Sequence, residues 1–175
     1  MNDKVPTIPV GNSYEPTGKY GLLNMLGIKF EERNLNPNGD ERAEDCVVRS
    51  ILMVLNHVQK AKDVTYTWEY VYDKLSSIGR KHHRLMNNYW VVKEFLEEFG
   101  FQLVVPIKNV QLGTFLITHT TNSYIVSFND HAFAYINGTI YDTKSMLPEI
   151  SYNLSMPLKA IYVPKNIIPW TILKE

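Results

Sequence analysis

The chain has 175 residues, 45% of them apolar, and its 18 basic and 18 acidic residues give a formal net charge of zero. This composition is typical of one globular domain, and the neutral balance disfavours broad attraction to nucleic acids or membranes. A single cysteine excludes an intramolecular disulfide and disfavours a cysteine-based zinc site, so we expect no metal and no cofactor. MNDKVPTIPV lacks the apolar region of a signal peptide, and no apolar run could span a bilayer. We therefore expect a cytoplasmic protein.

The N-terminal residues 1–30 are predicted to form an arm outside the main domain. Three prolines interrupt residues 1–16, which favours extended chain, and residues 17–30 contain a candidate short helix. Residues 31–44 are polar and rich in turn formers, so we predict a loop there. The single domain is then residues 31–175, and the arm is a candidate contact for a homo-oligomer.

Three helices are predicted in the middle of the chain. The apolar residues of DCVVRSILMVLNHVQKAK are too dense for a surface stripe and indicate a buried helix, with Asp45 as N-cap and Cys46 in its first turn. A second helix begins near Thr65, and a third covers residues 88–99 and stops at Gly100.

The C-terminal half is predicted to form a sheet. Strand patterns occur, in chain order, in FQLVVPI, SYIVSF, HAFAYI, TIYDT and PLKAIYVP. A short helix is predicted in VQLGTFLITHT, between the first two of them. Helices followed by antiparallel strands are the α+β pattern, and we expect the helices to pack on one side of the sheet.

HAFAYI and TIYDT are predicted to pair as a hairpin, because the Asn-Gly pair at 137–138 separates them. With a two-residue loop, Tyr135 pairs with Ile140, and His131 and Asp142 become diagonal neighbours on one face. Such neighbours lie about 7–8 Å apart, within reach of a His–Asp hydrogen bond. The structural alternative is that Asp142 caps a turn and His131 faces solvent.

Cys46 is the next candidate catalytic residue, because it begins a helix and follows polar residues. The thiolate is the nucleophilic form of cysteine, and the partial positive charge at a helix N-terminus favours it. The free amides there can also stabilise an oxyanion. The alternative is a structural cysteine, since a free cysteine within a helix usually fills a core.

The three residues together follow the Cys-His-Asp logic of papain-like catalysis. A cysteine at a helix start is followed by a strand histidine and by an acid on the partner strand. In that scheme Cys46 is the nucleophile, His131 is the base and proton shuttle, and Asp142 orients the imidazole.

Two segments, EDCVVRSI and VQLGTFLITHTTNSYIVSFNDHAFAYINGTIYDT, resemble the papain-like cysteine peptidases encoded by tailed bacteriophages. Those proteins carry D/N-C-x-x-R-[AS]-[IL] at a helix start and an H-x-x-A-x-[IV]-x-G-x-[IV]-Y-D hairpin. The resemblance spans roughly residues 43–143. It implies a papain-like fold, catalytic positions for Cys46, His131 and Asp142, and a structural role for Arg49.

The resemblance is incomplete at the oxyanion hole. Papain-like enzymes usually place Gln or Asn a few residues before the cysteine, whereas Asp40 stands six residues before Cys46. An acid would repel an oxyanion. The nearest amides are Asn36 and Asn38, and we take Asn38 as the candidate donor.

Three functional hypotheses follow. The first is a phage-type cysteine peptidase or thiol acyl-transfer enzyme, acting on a protein or peptide substrate, a host protein among the candidates, in the host cytoplasm. The second is a catalytically inactive papain-like module that binds a host or phage protein as an inhibitor or virion component. The third, a nucleic-acid-binding protein using GRKHHR, is disfavoured by the neutral charge. His82 and His83 of that segment fit a solvated basic loop better than a metal or phosphate site.

Overall fold

The computed structural model describes residues 23, 25–39, 45–106, 109–128, 130–143 and 154–167. The strands within these ranges are β1 (Lys29–Glu32), β2 (Phe101–Val104), β3 (Ser123–Phe128), β4 (His131–Ile136), β5 (Thr139–Asp142) and β6 (Leu158–Pro164). The α-helices are α1 (Cys46–Val58), α2 (Trp68–Lys81), α3 (Tyr89–Glu97) and α4 (Leu112–Thr118), and a 3-10 turn covers Lys60–Lys62. Most of the predicted N-terminal arm and its candidate helix lie outside the described residues, as does Asp40.

The six strands form one sheet in the order β1-β5-β4-β3-β6-β2. All neighbouring strands are antiparallel except β1, which runs parallel to β5. The predicted α+β class is therefore confirmed, with a mostly antiparallel sheet. In the described ranges, no helix is long and apolar enough to cross a membrane.

The prediction was wrong for residues 29–32, which were assigned to the candidate helix and the following loop. They form β1, in which Lys29 pairs with Thr139 and Glu32 pairs with Asp142. The sequence KFEE is polar and only partly buried, so it carries no local strand pattern. Its extended conformation comes from pairing with a distant segment, which local sequence does not encode.

Helices cover both faces of the sheet. Helices α1, α2 and α3 share an apolar core with Ile125, Ala134 and Ile136, as expected for one side. Helix α4 instead packs with Tyr124 and Tyr135, which point to the opposite side because side chains alternate along a strand. The expectation that all helices lie on one side is therefore corrected. Strands β3 and β4 are consequently buried along their whole length.

Candidate active site

The hairpin of β4 and β5 forms in the predicted register. Tyr135 pairs with Ile140, and the loop residues Asn137 and Gly138 have φ values of 48° and 79°. Positive φ at both positions is the signature of the type I′ turn, whose twist matches that of the two strands. The turn therefore fixes which residues of β4 and β5 become neighbours.

His131 and Asp142 meet at the open end of this hairpin. The Nε2–H of His131 donates to Oδ2 of Asp142 over 2.5 Å. His131 is only 9% exposed and Asp142 only 7%. The alternative that His131 faces solvent is therefore wrong. The second carboxylate oxygen of Asp142 accepts the N–H of Thr143 at 2.8 Å, so both oxygens of this acid have partners.

Strand β1 pairs with the edge of β5 that faces away from β4, and so helps to hold Asp142 in position. It pairs with β5 along its full length, and the backbone N–H of Arg33 donates to the carbonyl of Asp142 at 2.8 Å. The strand that carries Asp142 is thus held by β4 on one edge and by β1 on the other. The segment that the sequence pattern did not reveal therefore fixes the position of a candidate catalytic residue.

Cys46 is the first residue of α1 and is half-buried. Asp45 occupies the N-cap position as predicted, but its side chain does not cap the helix. Its Oδ2 instead accepts hydrogen bonds from Asn36 Nδ2 at 2.9 Å and from Trp68 Nε1 at 2.8 Å. Its Oδ1 lies 2.9 Å from Nε of Arg49 in a buried ion pair. These contacts anchor the start of α1.

The orientation of Asp45 leaves the first amides of α1 without a side-chain cap. The opening N–H groups of a helix have no partner inside the helix, and together they carry a partial positive charge. Such amides bind anions readily. Cys46 therefore lies where a negative charge on its sulfur, or on an oxygen beside it, is stabilised.

The imidazole of His131 links Cys46 to Asp142. Burial lowers the pKa of His131, but hydrogen bonds with Asp142 and Cys46, together with their negative charges, raise it to about 9. Because Nε2 is occupied by Asp142, Nδ1 is the nitrogen left for the sulfur. The structure thus brings together all three residues of the predicted triad.

A cavity of about 210 Å³ opens over this group and is lined by both Cys46 and His131. Asn38 is exposed and is not among the lining residues, so the structure does not bring the predicted oxyanion donor to the other three. Two different amides, those of Asn87 and Asn88, line the cavity instead. They precede α3, whose N-terminus therefore faces the same space as that of α1.

Asn88 is the N-cap of α3, where its Oδ1 accepts the N–H of Trp90 at 3.1 Å. This bond turns the carbonyl end of the amide towards the helix and leaves Nδ2 as its remaining donor. The sequence predicts that this helix begins near residue 88. Local sequence does not predict that Asn88 lies near Cys46, because that proximity depends on how α3 packs beside α1.

We compared the chain with protein-family models, with curated proteins and with solved structures, and none of the three comparisons gave a match. Function is therefore inferred from the chemistry of the side chains that meet at this cavity.

Proposed function

We propose that this chain is a papain-like cysteine peptidase of the tailed-phage type, or a related thiol acyl-transfer enzyme, that cleaves amide or isopeptide bonds. The observation that carries the proposal is the connected set Cys46–His131–Asp142. One imidazole is bonded to a buried carboxylate and to a thiol that begins a helix, beside an open cavity. A structural cysteine has no need of this arrangement.

The nucleophile is prepared by proton transfer within this set. A raised pKa keeps His131 protonated at neutral pH, and Asp142 stabilises the resulting positive charge. A positive imidazolium beside Cys46 favours the thiolate, which is the reactive form of cysteine. The uncapped amides of α1 add to this stabilisation.

In the acylation step, Sγ of Cys46 forms a bond to the carbonyl carbon of the substrate, and the carbonyl oxygen becomes an oxyanion. The backbone N–H of Cys46 and Nδ2 of Asn88 are the donors that we assign to this oxyanion. The carbon–nitrogen bond then breaks, and His131 gives its proton to the departing amine. The product is a thioester on Cys46.

In the second step, His131 takes a proton from water, and the oxygen of that water attacks the thioester carbonyl. The carbon–sulfur bond breaks, the acid product leaves, and the thiolate–imidazolium pair is restored. An amine that replaces water would complete an acyl transfer instead. Protein or peptide substrates, host proteins among them, suit this chemistry.

A papain-like fold is part of the same proposal. Two features support it: the nucleophile begins a buried helix, and the histidine and the acid lie on consecutive antiparallel strands against which that helix packs. The order Cys, His, Asp along the chain is the order in the resemblance.

Alkylation by iodoacetamide between pH 5 and 9 tests the proposal directly. Cys46 is the only cysteine in the chain, so mass spectrometry reports its reactivity without ambiguity. At pH 6, we expect native protein to react about 100 times faster than His131→Ala, since an unassisted thiol with a pKa of ~8.5 is almost fully protonated there.

His82→Ala is the matched control, because it removes a histidine that also bonds a carboxylate but lies outside the cavity. It should react like wild type at every pH. If wild type and His131→Ala follow the same curve of an ordinary thiol, the enzyme proposal fails and the inactive binding module becomes the better hypothesis.

A further inference from the structure

Asp130 lies in the turn before β4, directly beside His131 in the chain. Its side chain is exposed, and it lines the same cavity as Cys46. In the described part of the chain, the ion pairs involve other residues, and none includes Asp130. Among the described residues, this carboxylate thus has no ion-pair partner at the opening of the candidate active site.

The other described residues that line the cavity do not neutralise the charge of Asp130. None of the described residues that line it is lysine or arginine. The positive charge of His131 does not neutralise it either, because that charge is paired with the carboxylate of Asp142. Asp130 thus gives the described lining of the cavity an excess of negative charge.

Two tyrosines, Tyr89 and Tyr162, are also part of the lining. Tyr89 is 37% exposed, and the hydroxyl of Tyr162 is within 3.5 Å of the Tyr89 carbonyl. Aromatic rings attract cations through their negative faces. A carboxylate together with aromatic rings is a combination that suits an ammonium or guanidinium group.

We propose that Asp130 selects substrates with a basic side chain, lysine or arginine, next to the scissile carbonyl. This inference rests on the proposed function, since it names the substrate class of the same site. The amides of α1 and Asn88 attract the oxyanion at the carbonyl itself, whereas Asp130 acts on a neighbouring side chain. The site therefore favours negative charge at the scissile carbonyl and positive charge on the neighbouring side chain of the same substrate.

The test measures how fast Cys46 reacts with two methanethiosulfonate reagents of similar size, one carrying a trimethylammonium group and the other a sulfonate. The ratio of the cationic to the anionic rate reports the electrostatic potential at the sulfur. We expect Asp130→Asn to lower this ratio about fivefold at low salt, the order of magnitude for a single solvent-exposed charge that acts through water across the cavity. The change should shrink in 0.5 M NaCl.

Asp73→Asn is the control, because it removes the same charge from an exposed position on α2 that does not line the cavity. It should leave the ratio of wild type unchanged. An equal ratio in wild type and Asp130→Asn would overturn the proposal, as would an equal drop in both variants. These reagents also modify accessible thiols that are not catalytic, so the ratio is measurable even if the His131-dependent reactivity is absent and the proposed function fails.

Discussion

The molecule contains two histidine–carboxylate pairs of almost the same length, in very different surroundings. His131 and Asp142 are 2.5 Å apart, with side chains that are 9% and 5% exposed. His82 and Glu94 are 2.6 Å apart at the junction of α2 and α3, and each side chain is 40% exposed. Distance alone would rank the two pairs as equal.

Burial and further partners separate them. Water competes for both groups of the exposed pair, and Glu94 also binds Lys81 at 3.2 Å, the largest cause of the lowered pKa of this carboxyl. The buried pair has little water, so its electrostatic interactions are stronger. Its histidine also interacts with the thiol of Cys46. A short histidine–carboxylate contact is therefore evidence for a catalytic site only where the pair is buried and lies beside a nucleophile.

Removing each acid should give the largest contrast between the two pairs. At pH 6, Asp142→Ala leaves a buried imidazolium without its carboxylate and also removes the hydrogen bond between Asp142 and the N–H of Thr143. We expect a loss of about 3 kcal/mol in the free energy of unfolding, as for other broken buried ion pairs. Urea denaturation measures this loss.

Glu94→Ala is the matched substitution in the exposed pair. It should leave the urea midpoint close to that of wild type, because solvent screens surface ion pairs. A similar loss in both variants would mean that burial does not distinguish the pairs as we argue.

The pH dependence of stability should show a smaller contrast. The folded pKa of His131 is about 9, above the ~6.5 of an unfolded histidine. Its charged form therefore contributes stability that is fully present below pH ~6.5 and is lost as the pH rises towards 9. Linkage gives a decrease of about 2–3 kcal/mol over this interval.

This decrease is measured as urea unfolding at intervals from pH 6 to pH 9.5. His131→Gln should lack most of it, while His82→Gln should keep it. A flat profile in wild type would contradict the raised pKa and the protonated resting state that the mechanism uses.

The comparison also shows how far the sequence could predict this site. The Asn-Gly turn determines the register of β4 and β5, so the proximity of His131 to Asp142 is encoded within a dozen neighbouring residues. The position of Cys46 at a helix start is equally local, since it follows from the dense apolar pattern that begins at residue 47.

What the sequence did not reveal depends on contacts between distant segments. Proximity to Cys46 along the chain favours Asn38, whereas the amides that line the cavity are those of Asn87 and Asn88, brought there by the packing of α3. Strand β1 has a polar sequence and is extended only because β5 is beside it. The contact between His82 and Glu94 likewise joins two helices.

The smallest expected effect concerns Asp45, the second buried acid among the described residues. It resembles Asp142 in burial but has three partners, so no single partner is essential. Trp68→Phe removes the indole hydrogen bond of 2.8 Å and leaves the hydrogen bond from Asn36 and the ion pair with Arg49 in place.

We expect Trp68→Phe to lower the free energy of unfolding by about 1.5 kcal/mol, the usual value for a hydrogen bond to a charged group. Trp90→Phe is the control, because that side chain is 58% exposed, and it should not change stability. A loss as large as that of Asp142→Ala would show that Asp45 depends on Trp68 alone. The other two partners of Asp45 would then not compensate for the loss of one hydrogen bond, and Asp45 would be as sensitive to the loss of a partner as Asp142.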